Sequence, residues 1–152
     1  MGENNKLKEK LEGLRKEINH VDDELIQLLE KRAEIVLKIG DIKKTLNLDI
    51  FQPLREKEII ERLKSKVHLL NTSSLEAIWK EIMGACKELQ GSPIRVGYLG
   101  PQGTFTHKAA MNFFSKTGTL FIDSKSIIEI FANIEKNTLD FGVIPIENSL
   151  QG

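Results

Sequence analysis

The chain has 152 residues, 40% hydrophobic and 29% charged, and its 22 basic and 22 acidic side chains give a formal charge of +0. That composition fits one folded soluble domain or two small ones, and the neutral balance excludes nucleic-acid binding by bulk electrostatics, so any anion site must be built from a few placed cations. The single cysteine, Cys86, excludes an internal disulfide, and no apolar run reaches signal or membrane length, so the expectation is a cytoplasmic protein without membrane contact.

In chain order, Leu7, Leu11, Leu14, Ile18, Val21, Leu25 and Leu28, then Ile35, Ile39, Ile42 and Leu46, alternate steps of four and three. This heptad seam, roughly forty residues long, predicts one long helix that packs along most of its length. A second apolar row, Ile26, Leu29, Ala33, Val36 and Gly40, widens the stripe. So short a helical region offers little to cover such a helix, and the same helix of a second chain is the expected partner.

Residues 47–52 read as a turn. Pro53 suits the first turn of a second helix, with Leu54, Ile59, Ile60, Leu63 and Val67 inward. Residues 71–74 break it, and Ser73 with Glu76 predicts a capping box for a third helix carrying Leu75, Ile78, Trp79, Ile82, Met83, Cys86 and Leu89. Gly91 suits a helix C-terminus and Pro93 the stop behind it, which places a domain boundary at 91–94.

Beyond the boundary the pattern changes to short, glycine-punctuated runs. Residues 94–99 read as a strand, 100–103 as a turn, 104–114 as a helix and 119–122 as a second strand. Ser124 is the expected cap of a helix with Ile127, Ile128, Ile130, Phe131 and Ile134 apolar, and 141–144 is a third strand. Strands alternating with helices predict a parallel sheet. Three strands with two crossover helices make part of a doubly wound domain, so the chain is expected to be a piece of a longer one.

Several polar residues interrupt these stripes. Arg32 occupies a seam position that the heptad reserves for an apolar side chain, as a structural ion pair or as a binding group. Lys43 lies 11 residues on, which returns it to within roughly 20° of Arg32. Two cations on one apolar face repel unless an anion sits beside them. Arg15, 17 residues before Arg32, projects roughly 100° away, so on a straight helix it can share a site with Arg32 only across two chains. Gln52 with Glu56, and Cys86 with Gln90, form i, i+4 pairs on the second and third helices. Arg55 beside Glu56 reads equally as a solvated pair, and Cys86 as a small core residue.

Together these residues resemble the all-helical chorismate mutase family over about residues 7 to 90. The match rests on Leu14-Arg15-x-x-Ile18-x-x-Val21-Asp22-x-x-Leu25-x-x-Leu28-Leu29-x-x-Arg32, then Gly40-x-x-Lys43, Arg55-Glu56 and Cys86-x-x-x-Gln90. The resemblance implies an all-α domain over 1–91, one long and two shorter helices in an intertwined homodimer, binding chorismate without metal or cofactor. It implies that Arg15 of one chain and Arg32 of the other clamp the two carboxylates, with Arg55 in support. Lys43 and Gln90 would donate to the ether oxygen and Glu56 accept from the ring hydroxyl. Gln52 stands where some members carry an acid, and Cys86 where a serine is common.

The remainder resembles prephenate dehydratases, through Val96-Gly97-Tyr98-Leu99-Gly100-Pro101-Gln102-Gly103-Thr104-Phe105-Thr106 and Gly142-Val143-Ile144-Pro145-Ile146-Glu147-Asn148-Ser149. This implies a partial α/β domain over 94–152, one lobe of a periplasmic-binding-protein-like fold. Thr104, Phe105, Asn148 and Ser149 are its candidate substrate contacts, with the glycine-rich turn ahead of Thr104 suited to a carboxylate. Prephenate is the mutase product, so the fusion is chemically coherent. The Thr-Arg-Phe signature that carries the family's catalytic threonine is absent, so the expected activity is mutase without dehydratase. A carboxylate-binding module and a helical dimerisation domain without catalysis are the alternatives.

Overall fold

The computed structural model describes residues 2–49, 51–91 and 93–146. With no proline before position 53, the first segment runs as a single helix, α1, Gly2–Thr45. It ends where Asn47 takes a left-handed conformation (φ 53°), which asparagine tolerates better than most residues. There Leu48 N donates to Lys43 O and Asn47 N to Lys44 O, the hydrogen-bond pair of a Schellman stop. After the turn come α2, Pro53–Lys64, and α3, Thr72–Gln90.

The two apolar rows of α1 have different fates. The second row faces α3: Leu29, Ala33 and Val36 are half-buried and Gly40 is buried, whereas Ile26 stays exposed. The apolar residues of the heptad seam from Leu7 to Leu46 are all exposed, with Leu28 64% and Ile18 62% accessible. α3 packs on both α1 and α2 and buries Leu75, Met83 and Cys86.

A parallel sheet follows, in the order β2-β1-β3, from β1, Ile94–Leu99, β2, Thr119–Ser124, and β3, Phe141–Val143. The crossovers are α4, Phe105–Phe113, and α5, Ile127–Glu135. Ile94, Val96, Tyr98, Ala110 and Phe114 form the core, and Phe51 from the α1–α2 turn joins it. The Phe51 ring lies 5.2 Å from Phe114 and 5.1 Å from Phe141, edge-on to the latter. Asp140 fixes β3 to β1 by accepting from the Arg95 backbone N–H, Nε and Nη2.

The helices and the sheet also meet along the outer face of α3. Glu81 accepts from the amides of Lys116 and Thr117 and from the Thr117 hydroxyl, and Glu88 accepts from Gly118 N. Burial works against the Glu81 carboxylate, yet these hydrogen bonds, led by the Thr117 hydroxyl, hold its pKa below the ordinary value. Close approach requires glycine on both sides. A Cβ on Gly84 would stand 2.3 Å from Thr117 O, and one on Gly118 (φ +73°) 2.6 Å from Gly84 O.

Four local expectations are corrected. The third helix is capped by Asn71, whose side chain accepts from Ser74 N. Ser73 instead donates to Asn71 Oδ1, and Glu76 pairs with Lys64 and Lys80, so no capping box forms. Ser124 closes β2, and Ser126 caps α5 by accepting from Glu129 N. α2 ends at Lys64, before Val67, and β3 ends at Val143.

Candidate active site

Gly40 determines how α1 and α3 meet. A Cβ there would approach Gln90 Cγ to 3.0 Å, so glycine lets the end of α3 lie flat on α1 one turn before Lys43. Gln90 is buried and its Nε2 donates to Val36 O at 3.1 Å, while its buried Oε1 has no hydrogen-bond partner. An amide nitrogen carries two hydrogens, so Nε2 keeps a second one to donate. One turn back on α3, the Cys86 sulfur accepts from Arg32 Nη1 at 2.8 Å. Arg32 is thereby turned out of the open seam and into the groove between the two helices, half-buried.

The third wall comes from the turn and α2. Pro53 starts α2, which brings Gln52, Arg55 and Glu56 toward α3. Gln52 is half-buried, and its side chain makes no capping hydrogen bond. Glu56 accepts from Lys87 Nζ at 2.9 Å, with the lysine side chain 8% and the glutamate 21% exposed. Arg55 pairs with Glu58 at 3.0 Å. These residues enclose a cavity of about 790 Å³ with Arg32, Lys43, Gln52, Arg55, Glu56, Cys86, Lys87 and Gln90 in its lining, a size within the ordinary range for small-molecule sites.

The cavity is electrostatically uneven. Burial lowers the Lys43 pKa, Glu56 and Asp49 pull it back up, and Lys87 lowers it again. Arg32, Lys43, Arg55 and Lys87 face Asp49, Glu56 and Glu58, a formal excess of one positive charge. Such a pocket can orient an anion, and it offers N–H donors without a nucleophile-and-base pair.

Seven of the eight residues expected around a mutase substrate therefore line one cavity. Arg15 does not. It is exposed, pairs with Glu12 at 2.6 Å, and lies about 25 Å along the helix axis from Arg32, far beyond the reach of one small ligand. In the α/β segment, the Thr104 hydroxyl accepts from His107 N as the cap of α4 and donates to Leu99 O. Gly103 N, in the glycine-rich turn, donates to His107 Nδ1. Phe105 is 91% exposed, and Asn148 and Ser149 lie outside the described residues.

Lys87 and Phe51 are among the lining residues that escaped the sequence reading. Lys87 lacked the signal that singled out Arg32: its row on α3, Glu76, Lys80, Met83 and Gln90, is mostly polar, and only the structure shows that its face is buried. Phe51, an aromatic in a turn, carried no periodic signal. Among the described residues, no helix is long and apolar enough to cross a membrane, and no group of three or more His, Cys, Asp or Glu side chains is placed to hold a metal ion.

Residues 14–91 match the family Chorismate mutase type II, and residues 96–152 match the family Prephenate dehydratase. The chain is 40% identical over 149 residues to a protein from Aquifex aeolicus (strain VF5) named bifunctional chorismate mutase/prephenate dehydratase, covering 95% of this chain and 41% of that protein. Proteins of the same name from Pseudomonas aeruginosa and Escherichia coli (strain K12) are 30% and 27% identical, over 95% and 91% of this chain and 40% of each relative. The chain thus spans about 40% of the length of the curated relatives it matches. It belongs to the chorismate mutase type II family, with part of a prephenate dehydratase domain behind the helices.

Proposed function

We propose that the cavity binds chorismate and rearranges it to prephenate, and that the working unit is a homodimer in which Arg15 of a second copy completes each site. The observation that carries this reading is the convergence of Arg32, Lys43, Glu56 and Gln90 from three helices on one cavity, in a chain of this family.

The reaction breaks an ether C–O bond and forms a C–C bond within one molecule, so no proton or electron enters or leaves. Catalysis consists of holding the substrate folded and stabilising the negative charge that grows on the ether oxygen. Lys43 and the second Nε2 hydrogen of Gln90 supply that stabilisation, while Arg32 and the second copy's Arg15 clamp the carboxylates, with Arg55 in support. Glu56 accepts from the ring hydroxyl, with Gln52 as its neutral neighbour and Cys86 holding Arg32. Neither a metal nor a cofactor has a part in this chemistry. Arg15 would raise the lining's excess to two positive charges, which matches a dicarboxylate.

The exposed seam of α1 supports the dimer, because an uncovered apolar row of that length is unfavourable in water. We place the mutase domain at 1–91 and the dehydratase part at 94–152, with Thr104, Phe105, Asn148 and Ser149 as candidate prephenate contacts, in a cytoplasmic enzyme of phenylalanine biosynthesis. The test is chorismate disappearance with purified protein, followed alongside sedimentation. Turnover by a dimer is the expected result, and a folded dimer that leaves chorismate untouched overturns the reading.

A further inference from the structure

We propose that Lys87 is a positioning residue that holds Glu56 in place to receive the ring hydroxyl of the substrate; this rests on the mutase reading above. Lysine is seldom buried without a partner, because removing an ammonium from water is costly. Lys87 is among the most buried charged residues here, and it is held from two sides. Its Nζ donates to Glu56 Oε1 at 2.9 Å and stands 4.6 Å from the centre of the Phe51 ring. Phe51 is itself anchored by Phe114 and Phe141, so the lysine head rests on a surface that belongs to the sheet core.

The placement of the pair argues for more than a helix-to-helix tie. Both side chains line the cavity, together with Arg32, Lys43 and Gln90. A carboxylate offers about four lone-pair positions, so engaging Oε1 leaves Oε2 able to accept from a hydroxyl. Glu56 reaches the cavity on a flexible side chain from α2, whereas Lys87 belongs to α3, the helix that also carries Cys86 and Gln90. The ion pair therefore locks the carboxylate of one helix to the frame that presents the donors of another. Lys87 acts on the substrate through Glu56.

The experiment compares wild type, Lys87→Met and Lys87→Gln, alone and with Glu56→Gln, on chorismate and on chorismate lacking only its ring hydroxyl. Circular dichroism and sedimentation establish that each variant is a folded dimer, and Lys87→Gln, which keeps a neutral donor, is the gentler change. On chorismate, kcat/KM of Lys87→Met should fall by roughly tenfold or more, the fold-change of one lost hydrogen bond to a charged group. Lys87→Gln should fall less. On the analogue without the hydroxyl, Lys87→Met should match wild type. In the Glu56→Gln background, Lys87→Met should add almost nothing, since its route to the substrate is already gone. Wild-type rates for Lys87→Met on chorismate overturn the inference while leaving the mutase reading intact. An equal loss on the analogue, or losses that multiply in the double variant, also overturn it. No turnover by the wild-type dimer sinks the mutase reading, and this inference with it.

Discussion

The sheet segment and the helical region treat their apolar residues in opposite ways. From Ile94 onward the chain folds back on itself, and Val96, Ala110, Ile130 and Leu139 are all but inaccessible. The helical region is larger, yet most of the apolar side chains of α1 face outward, including the apolar residues of its heptad seam. A segment that hides most of its core locally, with Phe51 added from the helical region, is folded largely by its own contacts. A helix that carries a half-buried row on one side and an open row on the other is organised for one contact within the chain and another beyond it.

The severest way to break this comparison is to place charge on the open row. Ile18→Asp with Leu25→Asp should abolish the dimer and nearly all mutase activity, because a carboxylate in a closed apolar seam costs several kcal/mol. The same pair would be almost silent if α1 were a solvated helix, and sedimentation with a chorismate assay decides between the two. Phe51→Ala is next. Removing the ring from the sheet core should cost about 3–5 kcal/mol of stability, read by chemical denaturation. It should also slow turnover by loosening the turn that carries Gln52 and leads into α2, where Glu56 sits.

Lys43→Ala tests the chemistry of the helical region alone. It should raise the barrier for kcat by about 2.7–4 kcal/mol, the loss typical of a missing oxyanion donor. A change confined to KM would make Lys43 a uniform binding group. Because burial lowers its pKa, the ammonium is lost as pH rises at a point below the ordinary 10.5. The kcat/KM profile should therefore show an alkaline limb below that value, and Lys43→Gln should remove it.

The mildest signal is a partial recovery. Arg15→Ala and Arg32→Ala should each be nearly inactive. When the two proteins are mixed and re-annealed, roughly half the dimers become heterodimers with one intact site each, so activity should return to about a quarter of wild type. If nothing returns, the two arginines serve one site and the shared-site proposal is wrong.

Much of this was legible in the sequence because periodicity is local information. The long helix, Pro53 at the head of α2, the parallel strands and the shared face of Arg32 and Lys43 on α1 all follow from spacing along the chain, whereas Gln90's place beside them was marked only by the family resemblance. The helix caps were less legible: Ser73 and Ser124 were expected and Asn71 and Ser126 do the capping, because the backbone direction on entering each helix decides which polar side chain reaches the free amides. Lys87 sits in a mostly polar row of α3, and its partner lies 31 positions away, where spacing carries no information. Phe51 was the least legible. Its burial depends on Phe114 and Phe141, which reach it only after the sheet has formed.

One helix serves both regions, and this constrains how its sequence can change. Cys86, Lys87 and Gln90 point to the cavity, while Glu81, Gly84 and Glu88 point to the loop ahead of β2. Inserting or deleting one residue near position 82 turns everything after it by about 100° around the axis. A side chain would then be driven into Thr117 where Gly84 now stands, and Cys86 would leave Arg32. Substitutions can alter either face separately, but a shift in helical phase disturbs both at once. Length variation within α3 should therefore be tolerated far less well than in the 65–71 connection that precedes it.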